Sequence, residues 1–171
     1  NEDIFYAFRD ADGIWGQAQP LKDINTKYKE GSPCMNRTGD EIIFSRCFSP
    51  DGYGNCDLYY TKRINDTTWS QAVNLGPNIN GKTWDSHPSL SESGDTLYFA
   101  SDRQGSFGGS DIYYSIKDKR GNWGKALNVG PTINTQNNEV SPHLHPKFDI
   151  LYFSSDGQMV NFGHFDIFKS Y

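Results

Sequence analysis

The stretch GGSDIYYS, residues 108–115, contains two glycines, a serine and an Asp, followed by a run of mostly apolar and aromatic residues. Nearly the same phrase occurs four times in the chain. The copies are centred on Asp3, Asp57, Asp111 and Asp166. These Asp residues are 54, 54 and 55 positions apart, so the sequence is organised as a repeat of about 54 residues.

One repeat unit contains four short runs of strand-forming residues separated by turn residues. In the best-formed copy these runs are 86–91, 96–100, 111–116 and 123–129. The second run is apolar at consecutive positions (42–44, 97–99 and 151–153), which indicates a strand covered on both faces. Four short strands in each unit of this length are typical of a β-propeller blade. We therefore predict an all-β fold, a β-propeller made of four-stranded antiparallel blades.

The repeat predicts a partial blade at 1–24, blades at 25–79 and 80–134, and a second partial blade at 135–171. The chain is thus about three blades long, whereas propellers usually contain four to eight. Two interpretations stay open. The favoured one is an excised part of a larger ring; the other is a homodimer in which one copy's N-terminus completes the other's last blade and closes a six-bladed ring.

Composition and charge exclude several partner classes. The net charge is −5, from 16 basic and 21 acidic residues without a basic cluster, so we expect no nucleic-acid partner. No apolar run approaches the roughly 18 residues of a membrane span, and the first residues do not resemble a signal peptide. We expect no membrane span, and a mature or excised piece.

The cysteines leave two alternatives open. Cys47 and Cys56 bracket the loop 48–55, so a hairpin there would bring their Cβ atoms close enough for a disulfide. Such a bridge indicates an oxidising compartment. The alternative is that these cysteines are buried reduced thiols that pack as small apolar residues.

The motifs also carry a family resemblance. HPSLSESGDTLYFASDRQGSFGGSDIYYS (87–115), followed by WGKALNVGPTIN (123–134), resembles the WD40-like repeats of the TolB type, called PD40 repeats. Two copies depart from this pattern: Arg46-Cys47-Phe48 stands in place of Ser101-Asp102-Arg103, and no Arg follows Ser155-Asp156. These departures put a repeated ligand role for Asp102 and Arg103 in doubt.

The resemblance implies a location and a class of partner. It implies a β-propeller, typically six-bladed, in the periplasm or at the outer membrane of Gram-negative bacteria. Partners would be envelope proteins, with peptidoglycan or other glycans reached through flanking domains. Asp66-Thr67-Thr68 also resembles an O-glycosylation motif of Bacteroidetes envelope proteins.

Each candidate site residue has a structural and a functional interpretation. The aligned Asp residues would accept backbone N–H bonds from the preceding loop, or else contact a ligand or metal. The aligned Trp15, Trp69 and Trp123 would fill the outer layer of each blade, or else stack on a sugar. For both sets the structural interpretation is favoured.

Histidines and acids near the presumed central channel form the candidate ligand site. His143 and His145 share one face of a strand. Asp85, His87 and Glu139 are expected at the channel mouth, a common place for a small ligand. The histidine spacing alone does not predict a metal, because zinc sites need three or four convergent ligands. We predict no metal and no cofactor.

The sequence thus favours a non-catalytic module that acts as a protein-interaction platform through loops such as 102–110 and 157–165. A glycan- or small-ligand-binding module is the alternative, and a glycoside hydrolase fragment is the weakest hypothesis. The sequence contains no Gly-x-Ser-x-Gly elbow, phosphate loop or His-Glu-x-x-His motif, and nothing singles out a catalytic carboxylate pair. We therefore predict no catalytic residues.

Overall fold

The computed structural model describes residues 2–171, and these residues form strands, turns and loops without a helix. The strands, in chain order, are β1 (Phe5–Tyr6), β2 (Gln19–Pro20), β3 (Lys29–Met35), β4 (Glu41–Cys47), β5 (Cys56–Lys62), β6 (Val73–Asn74), β7 (Asp85–Leu90), β8 (Thr96–Ser101), β9 (Asp111–Ile116), β10 (Leu127–Asn128), β11 (Glu139–Leu144), β12 (Leu151–Ser155) and β13 (Asp166–Ser170). Within the described range there is no helix long and apolar enough to cross a membrane.

The strands form four antiparallel sheets in which sequential strands are neighbours. Sheet 1 contains β1 and β2, sheet 2 contains β3 to β6, sheet 3 contains β7 to β10, and sheet 4 contains β11 to β13. Sheets 2 and 3 have the four strands of a propeller blade. The all-β, four-stranded antiparallel prediction is confirmed, and the chain is a partial propeller.

The fourth strand of a blade is shorter than the sequence predicted. In sheet 3 the run 123–129 pairs only as β10 and as an isolated bridge between Lys117 and Trp123. Between these points the backbone leaves the sheet, because the N–H of Ala126 donates to the carbonyl of Asn78 at 2.8 Å. Part of this strand therefore bonds to the segment that leads into the sheet rather than to β9.

The first strand of each of sheets 2, 3 and 4 carries the same irregularity. The register shifts between Gly31 and Cys34, between Ser86 and Ser89, and between Val140 and His143. At each shift the residue before a proline has positive φ: 48° at Ser32, 52° at His87 and 52° at Ser141. Non-glycine residues rarely adopt this conformation. Because it recurs at equivalent positions of three sheets, the β-bulge is a regular part of the repeat.

The core lies between consecutive sheets. Each inter-sheet cluster contains apolar residues from the second and third strands and an Ile from the connecting segment. Between sheets 2 and 3, for example, Ile43 and Leu58 pack with Leu97 and Phe99, and all four are nearly or wholly buried. The consecutive apolar positions noted in the sequence thus contact the preceding sheet and the following one alternately.

The three aligned Trp residues differ in burial. Trp69 is 7% exposed and Trp123 is half-buried, each packed in an inter-sheet cluster. Trp15 is 66% exposed instead of filling a blade layer. The difference arises because no described sheet precedes sheet 1, so its outer face has no neighbour within residues 2–171.

Candidate interaction surface

Each loop between a second and a third strand is capped by the aligned Asp that begins the third strand. The carboxylate of Asp57 accepts hydrogen bonds from the N–H groups of Tyr53 (2.6 Å) and Gly54 (3.0 Å), and from the side-chain amide of Asn74 (2.7 Å). The equivalent bonds run from Phe107, Gly108 and Asn128 to Asp111, and from Phe162 to Asp166. Each cap restricts the loop backbone at its aromatic residue. Asp3, the first of the four aligned Asp residues, is exposed.

The glycine after the aromatic residue lets the loop lie against the next sheet. A Cβ atom on Gly54 would lie 2.3 Å from the carbonyl oxygen of Thr83, and one on Gly108 would lie 2.1 Å from that of Asn137. The N–H of Gly109 donates to the same Asn137 carbonyl at 2.7 Å. At Gly163, the third copy, no atom lies within 4 Å of the added Cβ. Two of the three loops are therefore held from both sides.

The aromatic residues of these loops point into solvent. Tyr53 is 50% exposed, Phe107 51% and Phe162 95%. They recur 54 and 55 positions apart in the motif aromatic-Gly-x-x-Asp, and we name these three residues the aromatic rim. Sequence reasoning treated the loops as polar and missed the aromatic residues. The signal that identifies them is their fixed position four residues before each capping Asp.

A disulfide closes the first of these loops. Cys47 and Cys56 are opposed in the β4–β5 register and are joined by a disulfide, so the loop that carries Tyr53 is closed covalently at its base. The third cysteine, Cys34, is a half-buried free thiol that accepts the N–H of Leu90 at 3.3 Å. Burial raises the pKa of the Cys34 thiol.

The acids predicted at the channel mouth are enclosed. Asp85 has no exposed surface and accepts hydrogen bonds from Arg103 and from the N–H of Gly81. Burial raises the pKa of Asp85, and the charge of Arg103 opposes that rise. Glu139, also without exposed surface, accepts bonds from Thr135 and Ser155. These contacts hold the blade together, and a ligand role for either acid stays a prediction.

Sheet 2 builds the same ion pair from a different sequence position. Arg46 donates to the buried Glu30 at 2.8 Å and to the carbonyl of Ile24 at 2.8 Å. Arg103, two positions later in its own repeat, donates to Asp85 and to the Ile79 carbonyl that corresponds to Ile24. Residues 46–48 depart from the repeat pattern, yet sheet 2 still places an Arg guanidinium beside the buried carboxylate. Only the repeat position that supplies the Arg differs.

The remaining candidate residues are not gathered in one place. Asp102 is exposed and accepts the N–H of Trp84 at 2.8 Å, near the start of β7. His87 is half-buried beside Trp84, and burial lowers the pKa of His87. His143 is exposed near the end of β11, and His145 accepts the N–H of Lys147 in the turn that follows. The predicted set thus divides between the two ends of the first strands.

Within the described residues no three His, Cys, Asp or Glu side chains converge as a metal site.

The end of the first strands nearest His143 forms a second surface feature. Two adjoining cavities of about 490 and 400 Å³ lie there between the loops that follow β3, β7 and β11. Both are lined by Arg37, Glu92 and Lys147 among others, and we name these two cavities the loop groove.

Comparison with solved structures identifies the architecture. TolB from Acinetobacter baumannii superposes with a TM-score of 0.61 over 96% of this chain, at 16% sequence identity. The chain has the fold of a TolB-like propeller segment. It spans about a third of that structure, 34% of its length. No family model and no curated protein matches this sequence.

Proposed function

We propose that this chain is part of a non-catalytic TolB-like β-propeller module of PD40-type repeats that serves as a protein-interaction platform in a bacterial envelope assembly. The observation that carries the proposal is the aromatic rim. Three exposed aromatic residues are presented at equivalent positions of successive loops. Aromatic residues are enriched among the side chains that dominate binding energy at protein interfaces.

The construction of the loops supports this role. Burying an exposed Phe or Tyr against a partner removes apolar surface from water, and the gain is greatest when the side chain is already held in place. Here the aspartate caps and, for Tyr53 and Phe107, the contact with the next sheet restrict the backbone before any partner binds. The rim therefore resembles a preorganised docking surface more than a set of mobile loops.

The disulfide supports the proposed location. Disulfides persist in oxidising compartments, which in bacteria include the periplasm. The bridge between Cys47 and Cys56 therefore favours a periplasmic or outer-membrane-associated module, with envelope proteins as partners.

The proposal is tested with the immobilised chain and an envelope extract of the source cells. The Phe107→Ala variant should retain fewer of the envelope proteins that the unmodified chain captures. The Phe107 side chain is 51% exposed, and its removal leaves the Asp111 cap intact. Phe148→Ala is the matched control, since Phe148 is 61% exposed and lies at the opposite end of the strands. Equal capture by both variants and the unmodified chain would refute the role of the rim.

A second candidate function is binding of a glycan or small ligand, which the loop groove favours because a cavity of about 400 Å³ there contacts His143. Titration with soluble cell-wall sugars tests it, with His143→Ala expected to weaken binding at least several-fold. Sugar binding that is unchanged in His143→Ala would place the ligand elsewhere. Release of reducing sugar in the same samples would instead support a glycoside hydrolase.

A further inference from the structure

The exposed ring of Phe107 belongs to the middle of the described chain. Phe107 lies in a loop of sheet 3, and sheet 3 packs between sheets 2 and 4, which also lie within residues 2–171. The residue is 51% exposed although both neighbouring sheets are present. Its surroundings are therefore supplied by this chain, and they indicate the chemistry of the partner that the aromatic rim binds.

Carboxylates border the loop that presents Phe107. Asp111 caps this loop at the start of β9, and Asp102, which is exposed, begins the loop after the end of β8. Asp156 lies across the adjoining connector. Asn138 in that connector donates its N–H to Asp156 at 2.8 Å, and its side-chain oxygen accepts a backbone N–H of the Phe107 loop at 3.2 Å. Three carboxylates thus lie within this loop or next to it.

The only cationic residue of this loop sequence is turned inward. Arg103 donates to the buried carboxylate of Asp85 and to the carbonyl of Ile79, so its guanidinium is bound within the blade. Neither the connector 129–138 nor the loop 157–165 contains a Lys or an Arg. The negative charge around the loop is therefore not offset by an exposed Lys or Arg of these neighbouring segments.

The rings of the aromatic rim carry no cation of their own. At the opposite end of sheet 3 the chain does stack a cation on an aromatic ring, where the Nζ of Lys117 lies 4.7 Å from the ring centroid of Trp123. Among residues 2–171 no Lys or Arg lies over a ring of the aromatic rim in this way. A cation within about 6 Å of a ring centroid is attracted by the ring quadrupole. The rim rings are thus open to a cation from a partner.

We propose that the aromatic rim binds a protein partner through a basic side chain, an Arg or a Lys that stacks on Phe107 with Asp102 as the opposing charge. An Arg guanidinium suits this position because it is planar, stacks on aromatic faces and still bonds to a carboxylate. Complementary charge also selects between partners and speeds their encounter. The inference rests on the proposed function and adds to it the chemistry of the partner.

Tyr53 provides a comparison within the rim, because an exposed lysine lies beside its loop. The carbonyl carbon of Lys82 lies 2.9 Å from the position of a Cβ atom on Gly54, the residue that follows Tyr53. Asp51 in the same loop is exposed. One exposed carboxylate and one exposed cation offset each other here. A basic partner should therefore favour Phe107 over Tyr53.

Binding of an arginine peptide tests the proposal. The probe is a fluorescein-labelled peptide of alternating arginine and glycine, and the comparison peptide carries citrulline, a neutral residue of nearly the same shape, in place of arginine. By fluorescence anisotropy the arginine peptide should bind the unmodified chain at least about tenfold more tightly than the citrulline peptide. Phe107→Leu, which keeps an apolar side chain without the π face, should weaken binding about two- to fivefold. Lys82→Gln should tighten binding, because it removes a cation near the rim.

Two isosteric variants separate a local charge from the charge of the whole chain. Asp102→Asn keeps an acceptor for the N–H of Trp84 and should weaken binding of the arginine peptide about two- to fivefold. Asp118→Asn is the matched control, since Asp118 is exposed, accepts backbone N–H bonds and lies at the opposite end of sheet 3. It should leave binding unchanged, because salt screens exposed charges over such a separation. No binding of the arginine peptide, equal binding of both peptides, or an equal loss from the two Asn variants would overturn the proposal; circular dichroism confirms that each variant is folded.

Failure of this inference is distinguishable from failure of the proposed function. Envelope proteins that the rim captures are lost from Phe107→Ala whatever their chemistry. If Asp102→Asn and about 0.5 M salt leave that capture unchanged, the interaction role stands and the basic partner is refuted, because salt screens exposed charges. If both release the proteins that Phe107→Ala fails to retain, the captured partner is basic, as proposed. Full capture by Phe107→Ala would refute the proposed function itself.

Discussion

Replacing Gly108 by Ala tests whether the loops are locked against the next sheet. The added Cβ would lie 2.1 Å from the carbonyl oxygen of Asn137 and 2.6 Å from the carbonyl carbon of Gln136, and both are backbone atoms that cannot rotate away. The loop must therefore move. Overpacking of this kind costs about 1 to 3 kcal/mol.

The movement also breaks a hydrogen bond. The N–H of Gly109 would separate from the Asn137 carbonyl, now at 2.7 Å, and a lost backbone hydrogen bond adds about 1 kcal/mol. The sum predicts a loss of about 2 to 4 kcal/mol in the free energy of unfolding, which at an m-value of about 2 kcal/mol/M lowers the urea midpoint by roughly 1 to 2 M.

Gly163→Ala is the matched control for Gly108→Ala. Gly163 is the third copy of the same motif position, and no atom lies within 4 Å of its added Cβ. Both substitutions reduce the entropy of the unfolded chain by a similar amount, so this contribution cancels in the comparison. Urea unfolding followed by tryptophan fluorescence measures both variants. Equal unfolding free energies for the two, within about 0.5 kcal/mol, would refute the locked loop.

Two further predictions concern buried and half-buried charges. Arg103→Met should lower the free energy of unfolding by about 3 kcal/mol or more, because it leaves Asp85 buried without its cation. Arg37→Met is the control and should change the free energy of unfolding by less than about 1 kcal/mol, because its pair with Glu92 is exposed. Equal losses of the two variants in urea unfolding would contradict this prediction. His87→Asn should make the free energy of unfolding depend less on pH below pH 7. Burial lowers the pKa of His87, so the neutral ring stabilises the fold above the unfolded-state pKa, near 6.5. In the unmodified chain this stabilisation is lost as the pH falls. Parallel profiles of both proteins between pH 7 and pH 5 would refute the assignment.

Much of the fold could be predicted from the sequence, because a blade is local. The Asp spacing and the consecutive apolar positions identified the repeat, and β8 and β9 lie close to the predicted runs. The fourth strand was predicted too long, since its middle bonds to the preceding connector, a contact between segments 48 residues apart. Such a contact leaves no local pattern.

The candidate site was less predictable, because solvent exposure depends on neighbours. The loops 102–110 and 157–165 were predicted to be polar, yet Phe107 and Phe162 within them present exposed aromatic rings, 51% and 95% exposed. Asp85, predicted at a channel mouth, is fully buried and paired with Arg103, and residue type alone does not reveal this pairing.

The sequence by itself determined the period, the strand order and the position of every capping Asp, because these follow from residue type and spacing along one chain. The tertiary structure decided which groups meet. Arg46 and Arg103 come from repeat positions two residues apart and still reach equivalent buried carboxylates and connector carbonyls. A long, flexible side chain can arrive at one point from several starting positions, so the burial of the carboxylate and the packing around it, and not the register of the sequence, place the charge.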